Sequence, residues 1–203
     1  MPKVYAIDGI TPVVDPSAYV HPSAVLVGDV IVGPRAYIGP GASLRGDFGR
    51  IIVEQGANIQ DNCILHGFPG TDTLVGAEAT IGHGAVLHGC TVGRGALVGM
   101  NVVVNDNAVV GEDSIVAALA FVKAEDRIPP RSLAAGIPAK TRRELTEEEL
   151  IWKKDNMALY QQLAVRSATT MKEVEALTQV EPDRKRFHFD KSLPLSELKK
   201  RHG

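Results

Sequence analysis

The sequence of 203 residues suffices for one domain with an appendage, and its net charge of −2 excludes the strongly basic surface that binds nucleic acid. No stretch is long and apolar enough to span a bilayer, and the N-terminal MPKVYAIDG lacks the apolar run of a signal peptide. We therefore expect a cytoplasmic protein with no membrane or nucleic-acid partner, in which Cys63 and Cys90 stay reduced.

The first elements that we predict are short strands. From Val20 onward an aliphatic residue recurs at intervals that are mostly six residues long. A helix repeats every 3.6 residues and a flat strand every 2, so this period requires a different shape. A prism with one hexapeptide per face fits it, with the aliphatic side chain inside and glycine at many corners. We predict a mainly β protein, a left-handed parallel β-helix whose regular coils start near residue 14. The inward positions are Val20, Leu26, Val32, Ile38, Leu44, Val53, Ile59, Leu65, Val75, Ile81, Leu87, Val92, Val98, Val104, Val110, Val116 and Val122.

The repeat loses its phase at three places between Leu44 and Val92. Residues inserted into a solenoid form loops that project from one side, and this side is often the functional one. The segment GFPGTDT at 67–73 contains the clearest such loop, and it directly follows a histidine.

Two histidines fall on equivalent positions of the repeat. His66 follows Leu65 and His88 follows Leu87, and the two aliphatics are 22 residues apart, one 18-residue coil plus a four-residue loop. Adjacent parallel strands lie about 4.8 Å apart, so both imidazoles can bind one cation. His83 lies on the preceding face, from which only a neighbouring prism related by a threefold axis would reach that cation. We therefore predict a homotrimer with metal sites at its interfaces.

Three neutral imidazoles with an open fourth position are typical of a catalytic zinc site, and the same ligands accept Fe²⁺ or Co²⁺. Zinc lowers the pKa of bound water to about 7 and so supplies hydroxide at neutral pH. We predict His66, His83 and His88 as the metal ligands.

The segments LRGD at 44–47, NIQDNCILH at 58–66 and IGHGAVLHGC at 81–90 resemble the γ-class carbonic anhydrases of the hexapeptide-repeat superfamily. The resemblance covers about residues 10–170, and it implies the same three histidine ligands. It also implies that Gln60 orients the catalytic hydroxide and that Arg45, Asp47 and Asp61 form an ion-pair network at the subunit interface.

The sequence departs from the best-studied anhydrases where they carry acidic proton shuttles. Phe48 replaces a glutamate, and Asp72 is the only acidic residue of the loop after the first histidine. Since fast CO₂ hydration needs a proton carrier, turnover on CO₂ should be slow. The C-terminal part instead resembles a branch encoded with phenylacetic acid degradation and carnitine metabolism, which implies a thioesterase.

The residues and the resemblance together leave four functions to consider. A zinc-dependent thioesterase acting on acyl-CoA esters in phenylacetic acid degradation comes first, with Phe48 and Phe68 as an apolar mouth. A carbonic anhydrase acting on CO₂ and bicarbonate is the first alternative. A metal-free hexapeptide acyltransferase and an inactive scaffold trimer are the others.

Beyond Val122 we expect the repeat to end, with Ile128-Pro129-Pro130 marking the exit, which divides the chain into a β-helix domain at 1–125 and a C-terminal part at 126–203. Thr146 and Glu149 form a capping-box signature for a helix at about 147–167. We expect its packed face to carry Leu150, Ile151, Ala158, Leu159 and Leu163.

A second short helix is predicted at 170–180, followed by a charged tail at 181–203 that is loosely ordered or docked on another subunit. Tyr160 is either a packing residue or a substrate contact. Lys123, Arg127 and Arg131 either steer the phosphates of a coenzyme or form a solvated face. His21, His188 and His202 are expected at the surface.

Overall fold

The computed structural model describes residues 2–187, so His188, His202 and the end of the charged tail lie outside the described residues. These residues form a mainly β, left-handed parallel solenoid with one C-terminal helix. The strands are β1 Lys3–Tyr5, β2 Val13–Val14, β3 Tyr19–Val20, β4 Val25–Val32, β5 Tyr37–Ile38, β6 Ser43–Val53, β7 Asn58–Ile59, β8 Ile64–His66, β9 Thr73–Val75, β10 Thr80–Ile81, β11 Val86–His88, β12 Thr91–Val92, β13 Leu97–Val98, β14 Val103–Val104, β15 Val109–Val110, β16 Ile115–Val116, β17 Phe121–Val122, β18 Arg127–Ile128, β19 Ser132–Ala135 and β20 Lys140–Glu144, and the helix is α1 Glu147–Thr170.

Three faces make up the prism. The first face contains β8, β11, β14 and β17 with the first parts of β4 and β6, and the second contains β9, β12, β15 and β18 with their last parts. The third face runs from β3 through β5, β7, β10, β13 and β16 to β19 and β20. Since β4 and β6 continue around one corner, the first two faces form a single sheet of twelve strands. Apart from the β19–β20 pair, all strand pairs are parallel, so residues with the same repeat phase stack on one another.

The core lies along the prism axis and consists of the residues that the six-residue period places there. Of the seventeen inward aliphatic positions, all except the partly buried Val20 are at most 1% exposed. Burying one Val, Leu or Ile side chain stabilises a fold by about 1.5–3 kcal/mol, so repetition of this layer holds the solenoid together. The predicted fold class is confirmed.

The solenoid extends further than expected. Strand β18 pairs in parallel with β15, and β19 pairs in parallel with β16, so the coils end at Ala135 and not at Val122. The period continues through Ile128 and Ala134, which are 5% and 0% exposed. The prolines at 129–130 suggested an exit, but they lie at a corner, where no strand pairing is interrupted.

Helix α1 begins where the capping box predicted. The Thr146 hydroxyl accepts a hydrogen bond from the Glu149 amide, and the Glu149 carboxylate accepts one from the Thr146 amide. The helix runs three residues past 167, and the predicted second helix at 170–180 is wrong, because residues 171–187 contain no helix. Met171 has an extended backbone, and the hydroxyls of Thr169 and Thr170 donate to carbonyls of the last turn instead of supporting a further helix.

The packed face of α1 also differs from the expectation. Ile151 is 60% exposed, whereas the residues buried against the solenoid are Glu149, Lys153, Met157, Ala164 and Ser167. Hydrophobic periodicity misses this face because its two charged members are paired, Glu149 with Arg143 and Lys153 with Asp113. Within residues 2–187, no helix combines the length and apolarity needed to cross a membrane.

Candidate metal centre

His66 and His88 lie side by side on the first face. Strands β8 and β11 pair in register, with His66 directly opposite His88. Their ring centroids are 5.2 Å apart, and Nδ1 of His66 lies 3.2 Å from Nε2 of His88. The prediction that these two positions coincide on successive coils is confirmed.

The spacing of the two nitrogens fits a shared cation. In a tetrahedral zinc site with Zn–N bonds of about 2.0–2.1 Å, two ligand nitrogens are about 3.3 Å apart. The other ring nitrogens face carboxylates, with His66 Nε2 at 3.0 Å from Asp47 Oδ1 and His88 Nδ1 at 2.7 Å from Asp106 Oδ1. Because carboxylates accept hydrogen bonds, the outer nitrogens, His66 Nε2 and His88 Nδ1, carry the N–H groups. The lone pairs of His66 Nδ1 and His88 Nε2 then point at each other. A divalent cation held by both nitrogens would remove this repulsion.

His83 lies in the turn after β10, on a different corner of the prism. Its Nδ1 is 2.6 Å from Asp61 Oδ2, which leaves Nε2 as the ligand nitrogen on a side chain that is 47% exposed. Within one chain, no three His, Cys, Asp or Glu side chains of residues 2–187 are arranged so that they could hold one metal ion. The structure of a single chain therefore brings two predicted ligands together, and the contribution of His83 from a second copy stays a prediction.

The predicted ion-pair network is partly present in the single chain. Arg45 Nη1 lies 3.1 Å from Asp47 Oδ2, so Asp47 contacts both Arg45 and His66. Asp61 binds His83 instead of Arg45. Gln60 follows β7 on the corner that carries Asp61, is 5% exposed, and its amide donates to another side chain, the Asn58 Oδ1 at 3.1 Å. Gln60 therefore lies with the His83 part of the site.

One exposed aromatic side chain lies against His66, and a second belongs to the loop that follows it. Phe48 is 64% exposed, and its ring centroid lies 5.5 Å from that of His66. Phe68 is 62% exposed and belongs to the loop that follows His66. Neither side chain contributes to the solenoid core, so both are available to contact a ligand.

The loop after His66 is held by backbone contacts on the Phe48 side. A Cβ on Gly49 would lie 2.0 Å from the Thr71 carbonyl oxygen, so only glycine permits this approach. The Thr73 hydroxyl donates to the His66 carbonyl at 2.6 Å, and the Arg50 amide donates to Asp72 at 3.3 Å. These contacts place the loop beside the histidine pair.

Tyr160 lies between α1 and the solenoid. Its ring is 5.7 Å from that of Tyr37, which stacks on Tyr19 at 5.5 Å. Burial raises the pKa of Tyr160, and burial together with the charge of Asp61 raises the pKa of Tyr37 to about 12. The structure thus places Tyr160 in a packing cluster with Tyr37 and Tyr19.

Among the basic residues considered for a coenzyme, Lys123 lies 3.6 Å from Asp126 and Arg131 pairs with Glu147, while Arg127 is exposed at the start of β18.

Asp106 is the site residue that the sequence reasoning missed. It lies 18 residues after His88, one coil further along the same corner, where its carboxylate reaches His88 Nδ1. The signal in the sequence that indicates Asp106 is an acidic residue one coil beyond a predicted ligand, because carboxylates at such positions orient metal-binding imidazoles.

The solenoid and its paired histidines define a hexapeptide-repeat protein of the left-handed β-helix class. The chain belongs to the family of the carnitine operon protein CaiE. It is 59% identical to CaiE of Citrobacter koseri and 58% identical to CaiE of Salmonella typhi, in each case over 183 residues that cover 90% of this chain and 93% or 92% of the relative. No protein-family model matches the sequence.

Solved structures agree with this class. A hexapeptide transferase family protein from Anaplasma phagocytophilum superimposes with a TM-score of 0.77 at 39% identity, over 80% of this chain and 96% of that one. A candidate acetyltransferase from Bacillus cereus gives a TM-score of 0.79 at 32% identity, over 80% and 95%. The resemblance to a carnitine-metabolism branch is thereby confirmed, while membership of the γ-class carbonic anhydrases stays a prediction.

Proposed function

We propose that the protein is a metal-dependent thioesterase, of the γ-carbonic-anhydrase-like type, that hydrolyses acyl-CoA esters. The observation that carries this proposal is the pair of ligand nitrogens on His66 and His88, 3.2 Å apart, with each outer nitrogen bound to a carboxylate. Zinc fits this donor set best, and Fe²⁺ and Co²⁺ share it. Phenylacetic acid degradation is the pathway that the sequence resemblance implies.

A homotrimer supplies the third ligand in this proposal. Next to the histidine pair, the first face presents an outward row of apolar side chains, Ile64, Val86, Val103 and Phe121, stacked in register on successive coils. Ile64 is 46% exposed in the single chain. Association of three chains along this face would bury the row and bring His83 of one copy to the histidine pair of the next.

The chemistry of the site rests on the groups that this chain provides. A bound divalent cation supplies Lewis acidity towards a carbonyl and an activated water at neutral pH. Asp47 and Asp106 hold the imidazoles in the ligating tautomer. Phe48 and Phe68 offer an apolar surface to the acyl group. The thiolate of coenzyme A is a good leaving group, so an acidic proton carrier at position 48 is dispensable for this reaction.

Three alternative functions predict different experimental results. The names of the two structural neighbours favour an acyltransferase, which would need an acceptor substrate and no metal. Carbonic anhydrase activity would use the same ligands on CO₂, and a scaffold trimer would show neither reaction.

Elemental analysis of protein purified without added metal, run beside an acyl-CoA panel and a CO₂ hydration assay, tests the proposal. We expect about one zinc, iron or cobalt per chain and release of free thiol without an acceptor. His83→Ala and His88→Ala should abolish both metal and hydrolysis, whereas the matched variant His21→Ala should retain them. Protein without stoichiometric metal that transfers acyl groups to an acceptor would refute the thioesterase in favour of the transferase.

A further inference from the structure

A column of turn residues connects His83 with an exposed methionine. Because Ile59, Ile81 and Val98 are in register, the residues two positions later also correspond: Asp61, His83 and Met100. The backbone confirms the stacking, since the Gly84 amide donates to Asp61 and the Asn101 amide donates to the His83 carbonyl, both at 2.9 Å. Met100 therefore lies one coil from His83 on the same corner.

The two neighbours of His83 in this column differ in chemistry. Asp61 binds Nδ1 of His83 from one side. Met100 lies on the other side, is 53% exposed, and takes no part in the solenoid core. Where this corner contacts a second copy through His83, Met100 also lies next to that copy, because adjacent coils are only about 4.8 Å apart.

We infer that Met100 is a specificity-determining residue that closes the acyl-binding mouth across the subunit boundary, on the side of the ligands away from Phe48 of the neighbouring chain. The inference rests on the proposed thioesterase function, which it deepens by assigning the substrate class. Three apolar side chains from two chains surround the approach to the ligands. A flexible thioether adapts to acyl groups of irregular shape, so the site favours medium-length or aromatic acyl groups over acetyl.

Cross-linking tests the placement of Met100 without relying on turnover. A Phe48→Cys/Met100→Cys double variant, treated with a bismaleimide whose spacer spans two to three coils, about 10–15 Å, should give covalent dimers and trimers on a denaturing gel. The native Cys63 and Cys90 are 0% and 1% exposed and stay silent. Each single variant and the control Phe48→Cys/Val165→Cys, with Val165 on the exposed face of α1, should remain uncross-linked. Absence of covalent oligomers in the double variant would overturn the inference, whatever the activity of the protein.

Substrate selectivity tests the role of the residue. For Met100→Ser, the ratio of kcat/KM for hexanoyl-CoA to that for acetyl-CoA should fall about tenfold, as expected when an apolar contact is removed from a pocket. Bound metal should be unchanged, and Val165→Ser should keep the wild-type ratio. An unchanged ratio in Met100→Ser would overturn the specificity role. If cross-links form but the metal-loaded wild-type protein hydrolyses neither ester, the thioesterase is refuted, while the position of Met100 at the inter-chain site stands.

Discussion

The Asp106 carboxylate accepts a hydrogen bond from Nδ1 of His88 at 2.7 Å, and this contact leaves Nε2 of His88 to face His66. The two residues lie on adjacent coils of one corner, so the solenoid itself sets their separation. The orientation of one half of the candidate metal site thus depends on a residue outside the ligand set.

Replacing this carboxylate should weaken metal binding. In Asp106→Ala, the His88 ring is free to adopt the other tautomer, and we expect zinc affinity to fall about 10–100-fold, as found for lost partners of metal-bound histidines. Competition with a chromophoric chelator measures the affinity. Asp126→Ala removes a carboxylate that pairs with Lys123 at the surface, and this variant should bind zinc normally. Equal affinities in the two variants would contradict the orienting role.

Lys153 and Asp113 should contribute unequally to stability. The ammonium of Lys153, on a residue 4% exposed, donates to the Gly95 carbonyl and to Asp113 at 2.7 Å, whereas the Asp113 side chain is 47% exposed. Asp113→Ala leaves a buried cation with its carbonyl partner alone and should cost about 2–3 kcal/mol of unfolding free energy. Lys153→Met leaves a carboxylate that water can solvate and should cost less than about 1 kcal/mol.

Urea unfolding monitored by circular dichroism compares these two variants. Glu147→Ala, which removes the exposed pair with Arg131, is the control and should change stability by at most about 0.5 kcal/mol. A larger loss for Lys153→Met than for Asp113→Ala would show that the buried ammonium is not the costly group.

Tyr37 should make the fold sensitive to alkaline pH. Its pKa is raised from 10.0 to about 12, chiefly by burial and then by the Asp61 charge. A group whose pKa is higher in the folded than in the unfolded state contributes its full stabilisation of the fold at pH values below the unfolded-state pKa. For Tyr37 this contribution is lost as the pH rises from about 10 to 12. Tyr37→Phe should therefore lose less stability than wild type over that range, by on the order of 2 kcal/mol at most.

Stability of both proteins measured between pH 8 and pH 12 isolates this effect, because Tyr19 and Tyr160 are common to both. Parallel pH profiles for wild type and Tyr37→Phe would refute it.

The two thiols should be unreactive in the folded protein. Burial raises the pKa of Cys63 to about 11 and that of Cys90 to about 12, and neither side chain is accessible. At pH 8 we expect a disulfide-exchange reagent to modify both thiols only after denaturant is added. A Thr169→Cys variant, exposed at the end of α1, provides the reactive reference. Rapid modification of native wild-type protein would show that the coils open locally.

The partial success of the site prediction has a clear physical basis. Counting residues placed His66 opposite His88, because a solenoid converts distance along the chain into a fixed position on a coil. The same spacing of 22 residues separates Asp61 from His83, but counting does not say which neighbour a side chain in a corner turns towards, and Asp61 binds His83. The prolines at 129–130 predict the end of the repeat too early, because they fall at a corner while Ile128 and Ala134 keep the phase.

The amino-acid sequence by itself determined the prism, its inward residues and the coincidence of two histidines, since all three follow from a period that each hexapeptide repeats locally. Tertiary structure alone decided the buried face of α1, where Lys153 is covered because Asp113, 40 residues earlier in the chain, pairs with it. It also decided which carboxylate orients each imidazole. These choices depend on partners distant in sequence, and no local pattern encodes the charge that will stand opposite after folding.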